Sequence, residues 1–404
     1  MPMIIRNLLV YAGVLLIVAG CAKPAPPPAP IAAPTSDTSE RSFDEAVNVA
    51  TDGLVTQLQQ RPGPSAKTEG RRSLVIDPMV DAVSGQQTAA TLLLEQRVAE
   101  RLRSSAAQLD VVPFQVVNLS QAQYLLTGTM TRVASSQAGA PEVFEINMAV
   151  TDLKDGMVVA QASSRARDEG VDTNPTPYYR DSPVVVKDQV VDGYIATSKT
   201  APGGPADPVY FERVATATVV SEATIAYNGG NYQDSLALYQ TASAKPGGEQ
   251  LRVLNGIYLA SWKLGRANEA EAAFGKVVAL GLSSNNLGVK FLFNPGTTNF
   301  WSDPQVSGPY GFWLRQIARQ AVLARVCMNL VGHTSRTGSV PYNDRLSLQR
   351  ATYIKQRLEK EAPQLASKTR ASGMGFRENL VGTGTDDARD ALDRRVEFKI
   401  SECS

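Results

Sequence analysis

Residues 226–242 repeat themselves thirty-five positions later. Ala226-Tyr227-Asn228-Gly229-Gly230-Asn231-Tyr232 aligns with Ser261-Trp262-Lys263-Leu264-Gly265-Arg266-Ala267, Ser235 with Ala270, Tyr239 with Phe274, and Ala242 with Val277. In both copies a small residue stands five positions after the glycine and an aromatic nine after it. The small residues let two helices of a pair approach closely, and the aromatics fill the gap to the next pair. Two such units are fewer than the three usually needed for stability. Helices of this kind must lean on whatever flanks them, which ties the folding of the repeat to its neighbours.

The pattern resembles the tetratricopeptide repeat, whose period is about 34 residues. The resemblance implies helical hairpins over residues 213–284. They serve either as a spacer that orders two domains or as a peptide-binding groove.

The N-terminus reads as an address. Residues 8–19 are nearly continuously apolar, too short a run for a membrane span, which needs roughly 20 residues, but the length of a secretory h-region. It ends in Val18-Ala19-Gly20-Cys21, which resembles a bacterial lipobox. That resemblance implies a signal peptide over 1–20, cleavage before Cys21 and lipid on the Cys21 sulfur. With Ala22 next, it favours an outer-membrane lipoprotein facing the periplasm. Prolines 24, 26, 27, 28, 30 and 34 then make residues 21–42 a Pro-rich tether of polyproline type.

Residues 43–212 read as a small mixed-sheet α/β domain with a long loop. Phe43, Val47, Ala50, Leu54 and Leu58 recur at helical spacing over 42–60, and Arg61-Pro62-Gly63-Pro64 stops the helix. Strands are expected at 73–80, 111–119 and 123–134, and a helix at 88–106. Phe144, Ile146, Met148 and Val150 alternate as in a half-buried strand, and Asp155-Gly156 turns it back through 157–164. The runs at 74–77, 122–128 and 150–156 resemble the periplasmic domain of lipoprotein activators of penicillin-binding proteins, itself similar to curli-secretion lipoproteins. The resemblance implies a periplasmic protein partner for residues 43–284. The stretch 168–212, with Tyr178, Tyr179, Tyr194 and Tyr210, is either an exposed binding loop or a segment packed on its own domain.

Residues 285–404 carry a β-α-β-α-β-β order: strand 289–293, helix 310–324, strand 327–331, a helix capped by Asn343 and running to about 362, and strands 370–375 and 395–400. Gly332-His333-Thr334-Ser335-Arg336-Thr337-Gly338, residues 342–351, Gly373-Met374-Gly375 and Asp393-Arg394-Arg395-Val396-Glu397 occur in order. Together they resemble the OmpA-like peptidoglycan-binding domain, an α/β sandwich whose ligand is the diaminopimelate of the stem peptide. The resemblance implies that Arg350 binds the ligand carboxylate, as a planar guanidinium fork suits. Asn343, seven residues earlier, shares that helix face, and Thr337 matches a ligand-contacting position. Ser335 stands where the family carries an aspartate for the ligand ammonium, with Asp344 a conceivable substitute. Arg394 is a secondary candidate.

Composition closes off other classes. Forty Lys and Arg against 39 Asp and Glu give a net charge of +1, so nothing favours nucleic acid. Residues 21–287 balance at −6 and residues 288–404 at +6. With one histidine, three cysteines and no nucleophile or phosphate-loop motif, neither an enzyme nor a metal or cofactor site is expected. His333 reads as structural, bonded within its own loop. Asp386-Asp387, beside Arg389, Arg394 and Arg395, reads as a salt-bridged pair rather than a cation site. Cys327 begins one strand and Cys403 ends another, so antiparallel neighbours would join them in a disulfide. The whole is a multidomain α+β and α/β chain: a non-enzymatic lipoprotein that ties the outer membrane to peptidoglycan and scaffolds an envelope partner. The alternative is an accessory lipoprotein of a secretion, adhesion or peptidoglycan-synthase complex, with an OmpA-like domain that is only a scaffold.

Overall fold

Alternation along residues 72–76 and 124–133 sends neighbouring side chains to opposite faces of a sheet, and both faces are covered. The computed structural model describes residues 34–60, 71–294, 296–385, 389–401 and 403. Cys21, most of the tether and the Asp386–Asp387 pair lie outside the described residues. The first part contains β1 (Thr35–Arg41), α1 (Phe43–Gln60), β2 (Arg72–Ile76), α2 (Ala89–Ser105), β3 (Leu109–Val112), α3 (Val116–Leu119), β4 (Tyr124–Val133), β5 (Val143–Asp152) and β6 (Val158–Arg167). Its six strands run β1-β6-β5-β4-β2-β3, antiparallel in the middle and parallel at both edges. Leu74, Ile76, Leu126, Ile146 and Met148 face Val47, Leu54, Leu94 and Val98 of α1 and α2. Val75 and Leu125 point the other way, toward Val190, Tyr194, Tyr210 and Val214.

That second cover comes from the stretch expected as a long loop. It folds into α4 (Pro177–Asp181), α5 (Gln189–Lys199) and α6 (Pro208–Phe211), and all four of its tyrosines are buried. Tyr194 reaches Gly128 on β4, its hydroxyl donating to the carbonyl at 2.9 Å. An exposed binding loop is therefore ruled out for these side chains; they are core.

Three local expectations also change. Residues 35–41, expected as tether, pair in parallel with β6. The strand expected over 111–119 ends at Val112, because Pro113 has no N–H for a ladder, and α3 follows. The strand expected over 73–80 ends at Ile76, just before Asp77-Pro78.

Four helices come next: α7 (Val214–Asn228), α8 (Tyr232–Ser243), α9 (Leu251–Lys263) and α10 (Ala267–Ser283), two helix–loop–helix pairs. Ser235, Tyr239, Ala270 and Phe274 are fully buried. Gly256 lets α9 lie against Tyr239, since a Cβ there would fall 2.4 Å from the ring.

The last part holds β7 (Gly288–Val289), α11 (Pro304–Ser307), α12 (Tyr310–Ala324), β8 (Cys327–Gly332), α13 (Val340–Glu361), β9 (Thr369–Gly373) and β10 (Val396–Ser401). The strands order as β7-β10-β8-β9, with β10 antiparallel to both neighbours and β8 parallel to β9. The strand expected over 289–293 shrinks to two residues. Cys327 and Cys403 form a disulfide with Cα atoms 5.2 Å apart, at the end of the β8–β10 ladder where Ser401 faces Cys327. One continuous core takes in Tyr178, Tyr239, Tyr258, Phe274, Trp313 and Phe398. The helical pairs thus share their interior with the C-terminal sheet, as helices too few to stand alone must. Among the described residues no helix is long and apolar enough to cross a membrane.

Candidate ligand-binding cavity

Two missing side chains set the site. A Cβ on Gly332 would lie 2.1 Å from the Ser347 carbonyl oxygen, and one on Gly373 would lie 2.5 Å from the Leu348 nitrogen. Glycine at both lets α13 settle directly on β8 and β9, which brings the 333–339 loop over the start of the helix. Asn343 was expected as the N-cap; the cap is Ser339, with Pro341 in the first turn, a position that suits its fixed φ and absent N–H. Asn343 lies inside the helix and pins the loop instead, Nδ2 donating to the Thr337 carbonyl at 2.8 Å and the Ser339 carbonyl at 3.2 Å. In the loop the Ser335 and Thr337 hydroxyls are 3.2 Å apart.

Arg350 lies two turns on from Asn343, and the two are 6% and 2% exposed. Its Nε donates to the Thr297 carbonyl at 3.2 Å, and its guanidinium sits 4.9 Å from the centre of the Phe293 ring, a cation–π contact. Arg394 is carried by the turn before β10. There the Asp393 carboxylate accepts the backbone N–H groups of Leu380, Val381 and Gly382 at 2.7, 3.0 and 2.8 Å.

Arg350, Asn343, Ser335, Thr337 and Arg394 all line one cavity of about 860 Å³. Asp344 does not line it: its carboxylate pairs with Arg377 at 2.7 Å. The cavity also holds residues that sequence reasoning did not assign to a site, namely Arg180, Asp181, Lys263, Lys290 and the aromatic rings of Tyr258, Tyr310 and Tyr342. All three tryptophans of the chain, Trp262, Trp301 and Trp313, line it as well. No local pattern joins residue 180 to residue 290; the one available signal was that so few tryptophans cluster near the repeat and the C-terminal helix. Lys290 is buried, and that burial lowers its ammonium to about 8. At Asp181 burial pushes the carboxyl up, but Lys263 and Arg180 outweigh it and hold the group below its usual range.

His333 does not hydrogen-bond its loop through the ring. Its backbone N–H donates to the Arg395 carbonyl at 3.0 Å, and its buried Nε2 stands 3.6 Å from the Glu397 carboxylate. Arg395 Nε donates to the Glu397 carboxylate at 2.8 Å. Burial raises the Glu397 carboxyl, yet His333 and Arg395 together hold it far below the ordinary range. His333, Glu378 and Glu397 gather their side-chain ends within 4.8 Å. Arg395 and Lys399 already match those carboxylates, so the group reads as an ion network.

No family model matches the chain, and no curated protein does. Among solved structures, the chain is similar to the peptidoglycan-associated lipoprotein from Burkholderia pseudomallei at 21% identity, over 28% of this chain and 89% of that one, with a TM-score of 0.24. An outer membrane protein from Borrelia burgdorferi aligns at 21% identity over 29% and 88%, TM-score 0.23. The cell wall anchor of the type VI secretion system from Pseudomonas aeruginosa aligns at 22% over 29% and 80%, TM-score 0.24. At such values the functional reading rests on the residues of this chain.

Proposed function

We propose that residues 285–404 form an OmpA-like domain that binds the diaminopimelate-type stem peptide of peptidoglycan non-covalently. Arg350 takes the ligand carboxylate, and Asn343, Ser335, Thr337 and Arg394 shape the pocket around it. The observation that carries this is the placement of Arg350: a buried guanidinium, two helical turns from buried Asn343, on the wall of a cavity of about 860 Å³. That volume falls in the range of sites that enclose a small ligand, about 300–1,000 Å³. A guanidinium there supplies charge-assisted, bidentate hydrogen bonds to a carboxylate. With Cys21 lipidated, the chain is an outer-membrane lipoprotein on the periplasmic side that ties membrane to wall without catalysis. Residues 43–284 engage a periplasmic protein partner, and the two helical pairs are of tetratricopeptide type.

The test is sedimentation of the mature chain with diaminopimelate-type peptidoglycan, beside Arg350→Ala. The wild type co-sediments and the variant stays in solution. Equal sedimentation of the two rejects the assignment of Arg350. No sedimentation of either supports the second reading, a scaffold without ligand, which Ser335 favours because a hydroxyl lacks the charge of a carboxylate.

A further inference from the structure

Residues 285–404 supply only part of the cavity. Its other wall is built from the segment around α4 and from the end of α9. Lys290 joins the α4 segment to the C-terminal part: its backbone N–H donates to the Pro183 carbonyl at 2.7 Å, and its Nζ donates to the carbonyls of Tyr179 and Arg180 at 3.2 and 3.1 Å. Val185 N–H donates to Gly288 at 3.0 Å, and Val184 bridges Val289 in antiparallel fashion. The segment therefore extends the edge of the C-terminal sheet beyond β7.

The charges on this wall do not balance. The Asp181 carboxylate accepts from Lys263 Nζ at 2.9 Å, from Arg180 Nε at 3.1 Å and from the Tyr227 hydroxyl at 3.0 Å. Two cations thus share one carboxylate, and the third, buried Lys290, spends two of its donors on neutral carbonyls. Asp181 is the one acidic side chain among the described residues that line the cavity. A partly enclosed surface with surplus positive charge gains most from an anion, because solvent competes poorly there.

We propose that Arg180, Lys263 and Lys290 form a second anion subsite, which takes a further carboxylate of the same ligand whose first carboxylate Arg350 holds. The ligand class is a peptide carrying at least two free carboxylates, gripped between the helical pair and the C-terminal sheet. This rests on the stem-peptide reading above. Asp181 is a positioning residue, holding the Arg180 and Lys263 heads at the cavity.

The experiment titrates the full mature chain with a diaminopimelate stem peptide and with versions amidated at one carboxylate at a time. Tryptophan fluorescence follows binding, since every tryptophan lines the cavity, and calorimetry gives Kd. One charge-assisted contact is worth about tenfold in Kd. Amidation at a carboxylate other than the one held by Arg350 costs the wild type about tenfold. In the Arg180→Gln/Lys263→Gln variant, where Lys290 alone remains of the subsite, that cost falls well below tenfold, and the variant binds the amidated peptide as the wild type does, which shows its fold intact. The subsite is overturned if the wild type tolerates every such amidation, or if its tenfold loss persists in the double variant while Arg350→Ala still abolishes binding. If no peptide binds the wild type, the stem-peptide reading and the subsite fall together.

Discussion

The indole Nε1 of Trp313 on α12 donates to the hydroxyl of Tyr258 on α9 at 3.1 Å, in the interior. Phe274 of α10 stacks on the same indole at 5.5 Å. The helical pairs and the C-terminal part therefore hold one another's aromatic rings, and neither has a complete core alone. Tyr258→Phe leaves the indole N–H without its acceptor and costs about 1–2 kcal/mol. Denaturant unfolding followed by fluorescence should show a single transition with a lowered midpoint. Two separated transitions would contradict the shared core.

Gly332→Ala places a methyl group on the Ser347 carbonyl, which is backbone and has nowhere to rotate. Helix α13 must shift off the sheet, at about 1–3 kcal/mol for overpacking. Because Asn343 and Arg350 ride on that helix, peptide affinity should drop along with stability. An unchanged affinity in a destabilised variant would mean that the pocket does not depend on this close approach.

The Cys327–Cys403 bridge spans 76 residues, a loop for which chain entropy suggests about 4 kcal/mol. Cys327→Ser with Cys403→Ser should lower the unfolding midpoint accordingly. Mass spectrometry of the unfolded wild type should find neither thiol alkylated until a reductant is added.

Burial raises the Asp77 carboxyl to about 6, against the opposing pull of the Tyr210 hydroxyl, which donates to it at 2.6 Å. Burial likewise raises Glu95 to about 7. Both groups bind protons more tightly folded than unfolded, so their contribution is fully present below about pH 4 and is lost as pH rises through 6 and 7. Asp77→Asn keeps an acceptor for Tyr210 and removes the titration. The variant should be the more stable by on the order of 3 kcal/mol at pH 8, with the gap closing toward pH 4. A gap that is constant with pH would show that Asp77 does not titrate with folding.

What could be read from the chain beforehand followed the physics of each signal. The order of elements in residues 285–404 was legible because α12, α13 and their strands carry apolar residues at the right period. The disulfide was legible because its cysteines fall at strand ends that meet. β1 was invisible: Thr35–Arg41 has no apolar residue, and it holds its place through backbone pairing and contacts such as Gln57 Nε2 to Thr35 Oγ1 at 2.9 Å. Helix α13 is capped at Ser339 rather than at Asn343 because Pro341 suits the first turn and Asn343 is turned inward onto the loop carbonyls. Half of the cavity has no signature in the sequence, because Arg180, Lys263 and Lys290 are far apart along the chain and each is an ordinary basic residue until the fold assembles them.

The pairing of β1 with β6 also sets a length. With lipid on Cys21, only residues 22–34 lie between the bilayer and the first strand, roughly 13 residues that reach at most about 45 Å fully extended. A tether running to residue 42 would be 21 residues, so this one is about two fifths shorter. Were the chain anchored there as proposed, a shorter tether would confine the folded part to a smaller volume and raise its effective concentration near the membrane.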